Sequence, residues 1–176
     1  MDAFVAARRT FLRGKRLDMQ ELATDLGISR ATLYRWVGSR DELLGEILWS
    51  LGELGMKEAE EAATGRGAER IVQIYEHFLN LNAGHWPLRQ FIANERGTAL
   101  RLLTSNQGVQ HQRLIDRLRR LLEAAAAAGE LNLRLEAADM AFVLVRLGES
   151  FIWREFITGE EPDAVKAVQV ARVLLA

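Results

Sequence analysis

The sequence predicts an all-α protein, with an N-terminal three-helix head joined by a long helix to a larger helical body. Three observations carry this expectation. Apolar residues recur at helical spacing over nearly the whole chain, and no stretch alternates with period two for long. Only Pro87 and Pro162 occur in 176 residues, too few for the many turns of an all-β chain. The balance of 49% hydrophobic and 27% charged residues is that of a globular chain, and a chain of this length buries roughly 70% of its unfolded surface, enough for a core without staples.

Taken in order, the first helix covers residues 4–13 and ends near Gly14. The second runs over 19–26, with Met19, Leu22, Ala23 and Leu26 on one face, Asp18 as its cap and Glu21 at the third helical position. Gly27 breaks it, and Ser29 opens a third helix through Trp36. Ser39 and Glu42 form an S-x-x-E capping box at the start of a long fourth helix toward Ala63. After the TGRG break at 64–67, helices are expected at 68–81, 86–93, 95–103, 109–128 and 137–157. GEEPD at 159–163 is a stop and restart, with Pro162 where a last helix over 163–175 begins. The domain division expected from this pattern is 1–45 for the head and 46–176 for the body.

Several function classes fall away on composition. The absence of cysteine excludes a disulfide framework, a zinc–thiolate site and a cysteine nucleophile. No apolar run approaches the 18 or more residues of a membrane helix, and the first residues lack the apolar core of a secretory signal. A cytoplasmic location, with no membrane partner, is therefore expected. Charge is unevenly placed: residues 1–41 carry an excess of +3 (His neutral), and the remainder carries −4. A basic head on an acidic body fits a polyanion-binding end.

The informative stretch is LDMQELATDLGISRATLYRWVGSRDELL, residues 17–44. Two short helices that cross closely need a small residue at the crossing, here Ala23, and a residue tolerant of left-handed backbone at the turn, here Gly27. They also need an apolar lock, here Leu22, Leu26, Ile28, Leu33 and Trp36. Together these describe a helix-turn-helix whose second helix turns Leu33 and Trp36 inward and frees Ser29, Arg30, Thr32 and Arg35 to read DNA. Arginine pairs bidentately with guanine, and a threonine methyl meets the thymine methyl. Tyr34 and Arg40 suit phosphate contacts, Arg40 lying at a helix N-terminus that also favours an anion.

These residues resemble the TetR family of bacterial one-component transcription regulators, through L-A-x-x-L-G-I-S-x-x-T-L-Y-x-W followed by S-R-D-E-L-L. The resemblance implies that Ser29, Arg30, Ala31, Thr32 and Arg35 form the base-reading face and that Tyr34 and Arg40 clamp phosphate. Arg40 stands where the family usually has Lys, and Trp36 where it usually has Phe. The segment between Gly14 and Leu22 is slightly shorter than typical. Residues 146–163, RLGESFIWREFITGEEPD, with the short helix after them, resemble the regulatory domain of the QsdR-type subgroup. That likeness implies a repressor near genes for lactone or quorum-signal degradation, answering to a lactone or fatty-acyl effector and binding a palindromic operator as a homodimer.

In the body, residues 137–157 read as a helix apolar on two sides. Phe142, Val145, Ile152 and Phe156 form one stripe, and Met140, Leu144, Leu147 and Phe151 form the other. The last helix offers Ala164, Val168, Ala171 and Leu175. Two such helices from each of two chains predict a four-helix interface in a C2 homodimer. Polar groups within apolar stripes mark an effector pocket: Tyr75, Phe78 and Asn82 on one helix, Trp86, His111 at the head of another stripe, and Phe142, Arg146, Glu149 and Trp153. For His111 a satisfied core histidine is the alternative, and for Arg146 and Glu149 a simple pair one turn apart. Gly45, Gly52 and Gly55 weaken the connecting helix. They serve close packing, or let it bend as the pocket fills and so shift recognition helices spaced roughly 34 Å apart.

Enzyme signatures are lacking: no Gly-rich phosphate loop, no H-E-x-x-H, and no nucleophile elbow. His77, His85 and His111 have no metal-ligand partners at helical spacing, so no metal or cofactor is expected. A ligand-responsive DNA-binding regulator is the expected function. The alternatives are a helical protein-interaction adaptor with a vestigial helix-turn-helix, or a nucleic-acid-processing enzyme.

Overall fold

A computed structural model describes residues 2–104 and 109–176. Among these the regular structure is wholly helical, in two compact units.

The first unit comprises the described residues of Met1–Leu51 and His85–His111. Helices α1 (Ala3–Leu12), α2 (Met19–Asp25) and α3 (Arg30–Val37) pack on one another, and α6 (Trp86–Asn94) packs on α1 and on α7 (Arg96–Thr104). Each start has a local chemical cause. Asp18 accepts from the N–H groups of Gln20 and Glu21 at 2.7 and 3.0 Å. These bonds, which need the ionised form, hold its carboxyl below the usual carboxylate range. Ser29 Oγ accepts from Thr32 N at 3.1 Å and so caps α3. The box at the start of α4 (Arg40–Ala62) forms in both directions: Ser39 N donates to Glu42 Oε2 at 2.6 Å, and Glu42 N donates to Ser39 Oγ at 3.2 Å. At α6 the cap is His85, whose Nδ1 accepts from Leu88 N at 3.3 Å, with Pro87 in the first turn.

The second unit comprises Gly52–Gly84 and Gln112–Ala176. Here α5 (Gly67–Gly84) and α9 (Ala137–Ile152) pack together, and α11 (Ala164–Leu175) packs on both. Tyr75 Oη donates to the Leu144 carbonyl at 2.9 Å, and a Cβ on Gly148 would lie 2.9 Å from Leu79 and 3.0 Å from Tyr75 Oη. Glycine thus sets how closely α5 and α9 approach. Arg70 donates to the carbonyls of Glu60 and Ala63, covering acceptors at the C-terminal end of α4. Within α8 (Val109–Ala127), Arg117 pairs with Glu60 at 2.7 Å.

Three expectations about the body are corrected. Residues 137–157 are not one helix. The chain breaks at Trp153 (φ −97°, ψ 10°), and a single turn, α10 (Arg154–Ile157), follows. The run from Phe151 to Thr158 is rich in aromatic and β-branched residues of low helix propensity, and Trp153 gains burial at the bend. On α9 both expected stripes have buried members, Val145 and Ile152 of one and Met140 and Leu144 of the other, but Phe142 does not join them and is 48% exposed. On α11 the predicted dimer stripe faces inward, with Val168, Ala171 and Leu175 buried and Val165 and Val173 exposed. A small-residue stripe suits close packing within one chain as well as between two. No helix among the described residues is long and apolar enough to cross a membrane.

Candidate functional site

The α2–α3 corner is built as its spacing predicts. Gly27 adopts φ +67°, and its N–H donates to Thr24 O while Ile28 N donates to Ala23 O, both at 3.0 Å, so the turn closes on the carbonyls α2 leaves open. Ala23 and Leu22 are buried at the crossing and Leu33 is fully buried beneath α3. Leu26 and Ile28 are half-buried around them.

The outer face of α3 presents Arg30, Ala31, Tyr34 and Arg35, all exposed, with Ser29 exposed at its cap. The Arg30 guanidinium sits 5.8 Å from the centre of the Tyr34 ring. Ser29 and Thr32 are 3.0 Å apart through their hydroxyls, so this pair already shares a hydrogen bond. Trp36 corrects the sequence reading, for it is 57% exposed rather than turned inward. The reason is phase. Val37, four residues after Leu33, takes the half-buried inward position, and Trp36, at three residues, is carried to the other side.

Arg40 has been drawn into the head. Its Nε donates to the Leu17 carbonyl at 2.7 Å and its Nη2 to Glu95 Oε1 at 2.6 Å. Sequence spacing carries no signal for this contact, because Glu95 lies 55 residues further on. The niche beside it is lined by residues of α1, the α1–α2 link, α4 and α6, including Phe11, Arg16, Leu17, Leu44, Phe91 and Glu95.

The residues singled out for a ligand divide between the units. In the second unit, Tyr75 is buried, and burial together with the charge of Glu149 pushes its hydroxyl far above the ordinary tyrosine range. Phe78 belongs to a buried cluster with Met56, Ala59 and Ile74. Asn82 Nδ2 donates to the Phe78 carbonyl at 2.8 Å. Arg146 and Glu149 pair at 2.9 Å, one turn apart on α9, with the Glu149 side chain the more sheltered. Trp153 is buried at the α9–α10 bend, whereas Phe142 points outward. The structure therefore brings Tyr75 and Glu149 together and leaves Phe142 apart from them. In the first unit, Trp86 is 55% exposed with its ring against Gly14, and His111 is buried. An open groove of about 400 Å³ in the second unit is lined by Ala62, Ala63, Thr64, Gln73, Glu76, His77 and Asn80, none of them among the predicted ligand residues.

A protein with this helix-turn-helix head and an all-helical body is of the class of helical transcription regulators. The family model described as "Tetracyclin repressor-like, C-terminal domain" matches residues 66–176, and the chain belongs to this TetR family of transcriptional regulators. No protein of curated function matches the sequence significantly. Among solved structures, the chain is similar to the transcriptional repressor QsdR of R. erythropolis, with a TM-score of 0.90 and 28% identity over 98% of this chain and 92% of that one. AlkX from Dietzia sp., described as a TetR family repressor implicated in biodegradation of n-alkanes, shares the fold. Its TM-score is 0.66 at 23% identity over 98% of this chain and 90% of that one. So does a TetR-family regulator from Rhodococcus sp., with a TM-score of 0.60 and 18% identity over 99% and 96% of the two chains. The similar proteins are regulators rather than enzymes.

Proposed function

We propose that this chain is a ligand-responsive repressor that binds a palindromic operator as a homodimer and is released by a small apolar effector. Residues 1–45 are the DNA-binding part and 46–176 the effector-binding and dimerisation part. One observation carries the reading: α3 buries Leu33 and turns Arg30, Ala31, Tyr34 and Arg35 outward together. Such a face reads base edges through arginine while its neighbours engage phosphate. Ser29 and Thr32 complete the base-reading face, and Tyr34 and Arg40 are the phosphate ligands.

The dimer face proposed here is the outward side of α9 and α11, where Phe142, Val165 and Val173 are exposed. For the effector we propose the surroundings of Tyr75, Phe78, Asn82, Glu149 and Trp153 in the second unit, with Arg146 at their margin. A lactone or fatty-acyl compound is the effector class we propose, as the resemblance of residues 146–163 to the QsdR-type regulatory domain implies.

The test is binding of purified protein to DNA duplex as a function of salt, for the wild type and for Arg35→Ala. The reading expects log K to fall linearly with log salt for both. Specific binding should weaken by about 10- to 100-fold in the variant, the worth of a bidentate base contact, and non-specific binding should change far less. Wild-type protein without salt-sensitive DNA binding would remove this function and favour the protein-interaction reading.

A further inference from the structure

The first unit places an acidic side chain on the arginine assigned to phosphate. Glu95 closes α6, and its Oε1 accepts from Arg40 at 2.6 Å, with the two side chains only 11% and 22% exposed. The same oxygen lies 3.9 Å from Arg16 Nε, a side chain that is 78% exposed. One residue along α4, Asp41 pairs with Arg101 of α7 at 2.7 Å. Adjacent residues of the first turn of α4 are thus tied, with alternating charge, to the α6–α7 corner.

The Arg40–Glu95 pair differs from the exposed ion pairs elsewhere on the chain. Exposed pairs contribute close to nothing because water and salt screen them. A short, sheltered, charge-assisted bond is stronger and fixes geometry. Carboxylate and phosphate make the same demand on a guanidinium, two oxygens in the plane of its N–H fork. They compete for it.

We propose that Glu95 sets DNA affinity by competing with the phosphate backbone for Arg40. The inference rests on the DNA-binding reading of the head. In the free protein Arg40 bonds to Glu95 and to the Leu17 carbonyl, and on DNA it gives up Glu95 for a phosphate oxygen. Arg16 remains beside the carboxylate and partly compensates its charge. Because coupling is reciprocal, whatever holds Glu95 on Arg40 lowers DNA affinity, and DNA in turn loosens the α6–α7 corner from α4.

The experiment measures binding to a mixed-sequence DNA duplex over a range of salt for the wild type, Glu95→Gln, Glu95→Asp, Arg40→Gln and the double variant Arg40→Gln/Glu95→Gln. Competition predicts that Glu95→Gln tightens binding about three- to tenfold, the difference between a charge-assisted hydrogen bond and the neutral one glutamine can still accept. Glu95→Asp keeps the charge but shortens the reach, and it tightens binding as well. Arg40→Gln weakens binding and lowers the salt slope by about 0.9, one phosphate contact. The double variant matches Arg40→Gln alone. Circular dichroism melts establish that each variant is folded, and Glu95→Asp carries the test should Glu95→Gln unfold. The proposal is overturned if Glu95 variants weaken binding or leave it unchanged, which makes the pair a structural bracket. It is equally overturned if the gain persists without Arg40, which reduces it to the loss of one negative charge near DNA. Wild-type protein that does not bind the duplex overturns this proposal and the DNA-binding reading together, whereas wild-type binding with no gain overturns this proposal alone.

Discussion

His85 ties the start of α6 to pH. Its Nδ1 accepts the Leu88 N–H, which only an unprotonated Nδ1 can do, and burial followed by the charge of Arg8 lowers its pKa below the ordinary histidine value. With the folded pKa depressed, stability is full above the unfolded value near 6.5. It declines as pH falls through that value, because the unfolded chain takes up a proton that the folded one refuses. Thermal melts should show this decline, and His85→Asn, which caps without titrating, should flatten it. An unchanged pH profile in His85→Asn would assign the decline to other groups. Gly67 makes a second residue-level prediction. It adopts φ +52°, and an added Cβ would meet the Glu130 carbonyl oxygen at 2.0 Å. Gly67→Ala should cost about 2–3 kcal/mol in denaturant unfolding, from strain and displacement of the backbone it abuts. Residue roles were legible where they depend on near neighbours. Asp18, Ser29, Ser39 with Glu42, and Gly27 act within four residues of themselves. Glu95 on Arg40 and Trp86 on Gly14 join distant parts of the chain, and no local spacing announces them.

At the scale of elements, the helices followed the apolar period closely, and the exceptions are instructive. The period continues across Trp153, so pattern alone runs α9 into α10; propensity and the burial of one indole decide the bend. Likewise the period fixes that a helix has an inward face but not which of two neighbouring spacings fills it, which is why Val37 replaced Trp36. The division between the two compact units falls within α4, between Leu51 and Gly52. An added Cβ at Gly55 would lie 3.7 Å from Phe78 and Leu81, ordinary contact rather than a clash. Close packing therefore does not demand glycine at 55. We propose that Gly52 and Gly55 let α4 deform as effector binds, each lowering helix propensity by about 1 kcal/mol relative to alanine. Gly52→Ala/Gly55→Ala should retain DNA affinity and lose release by effector in a DNA-release titration. Unchanged release in the double variant would refute the idea.

The whole molecule belongs to the TetR family, and we propose that its head reads DNA and its body joins two copies. The dimer remains a proposal, and the face proposed for it differs from the one the sequence suggested: the small-residue side of α11 is spent within the chain, leaving Val165 and Val173 outward with Phe142 of α9. Phe142→Glu/Val173→Glu should convert a sedimenting dimer to monomer while circular dichroism stays helical, because these side chains add little to the core of one chain. A variant that still sediments as a dimer would place the interface elsewhere. The central claim, sequence-specific reading of DNA by a symmetric pair of heads, is tested most directly by selection and sequencing from a random duplex library at a stated salt concentration. The account predicts recovery of a palindrome whose half-sites lie about one or a small whole number of helical turns apart. Uniform recovery of all sequences, or enrichment of a single unrepeated half-site, would contradict it.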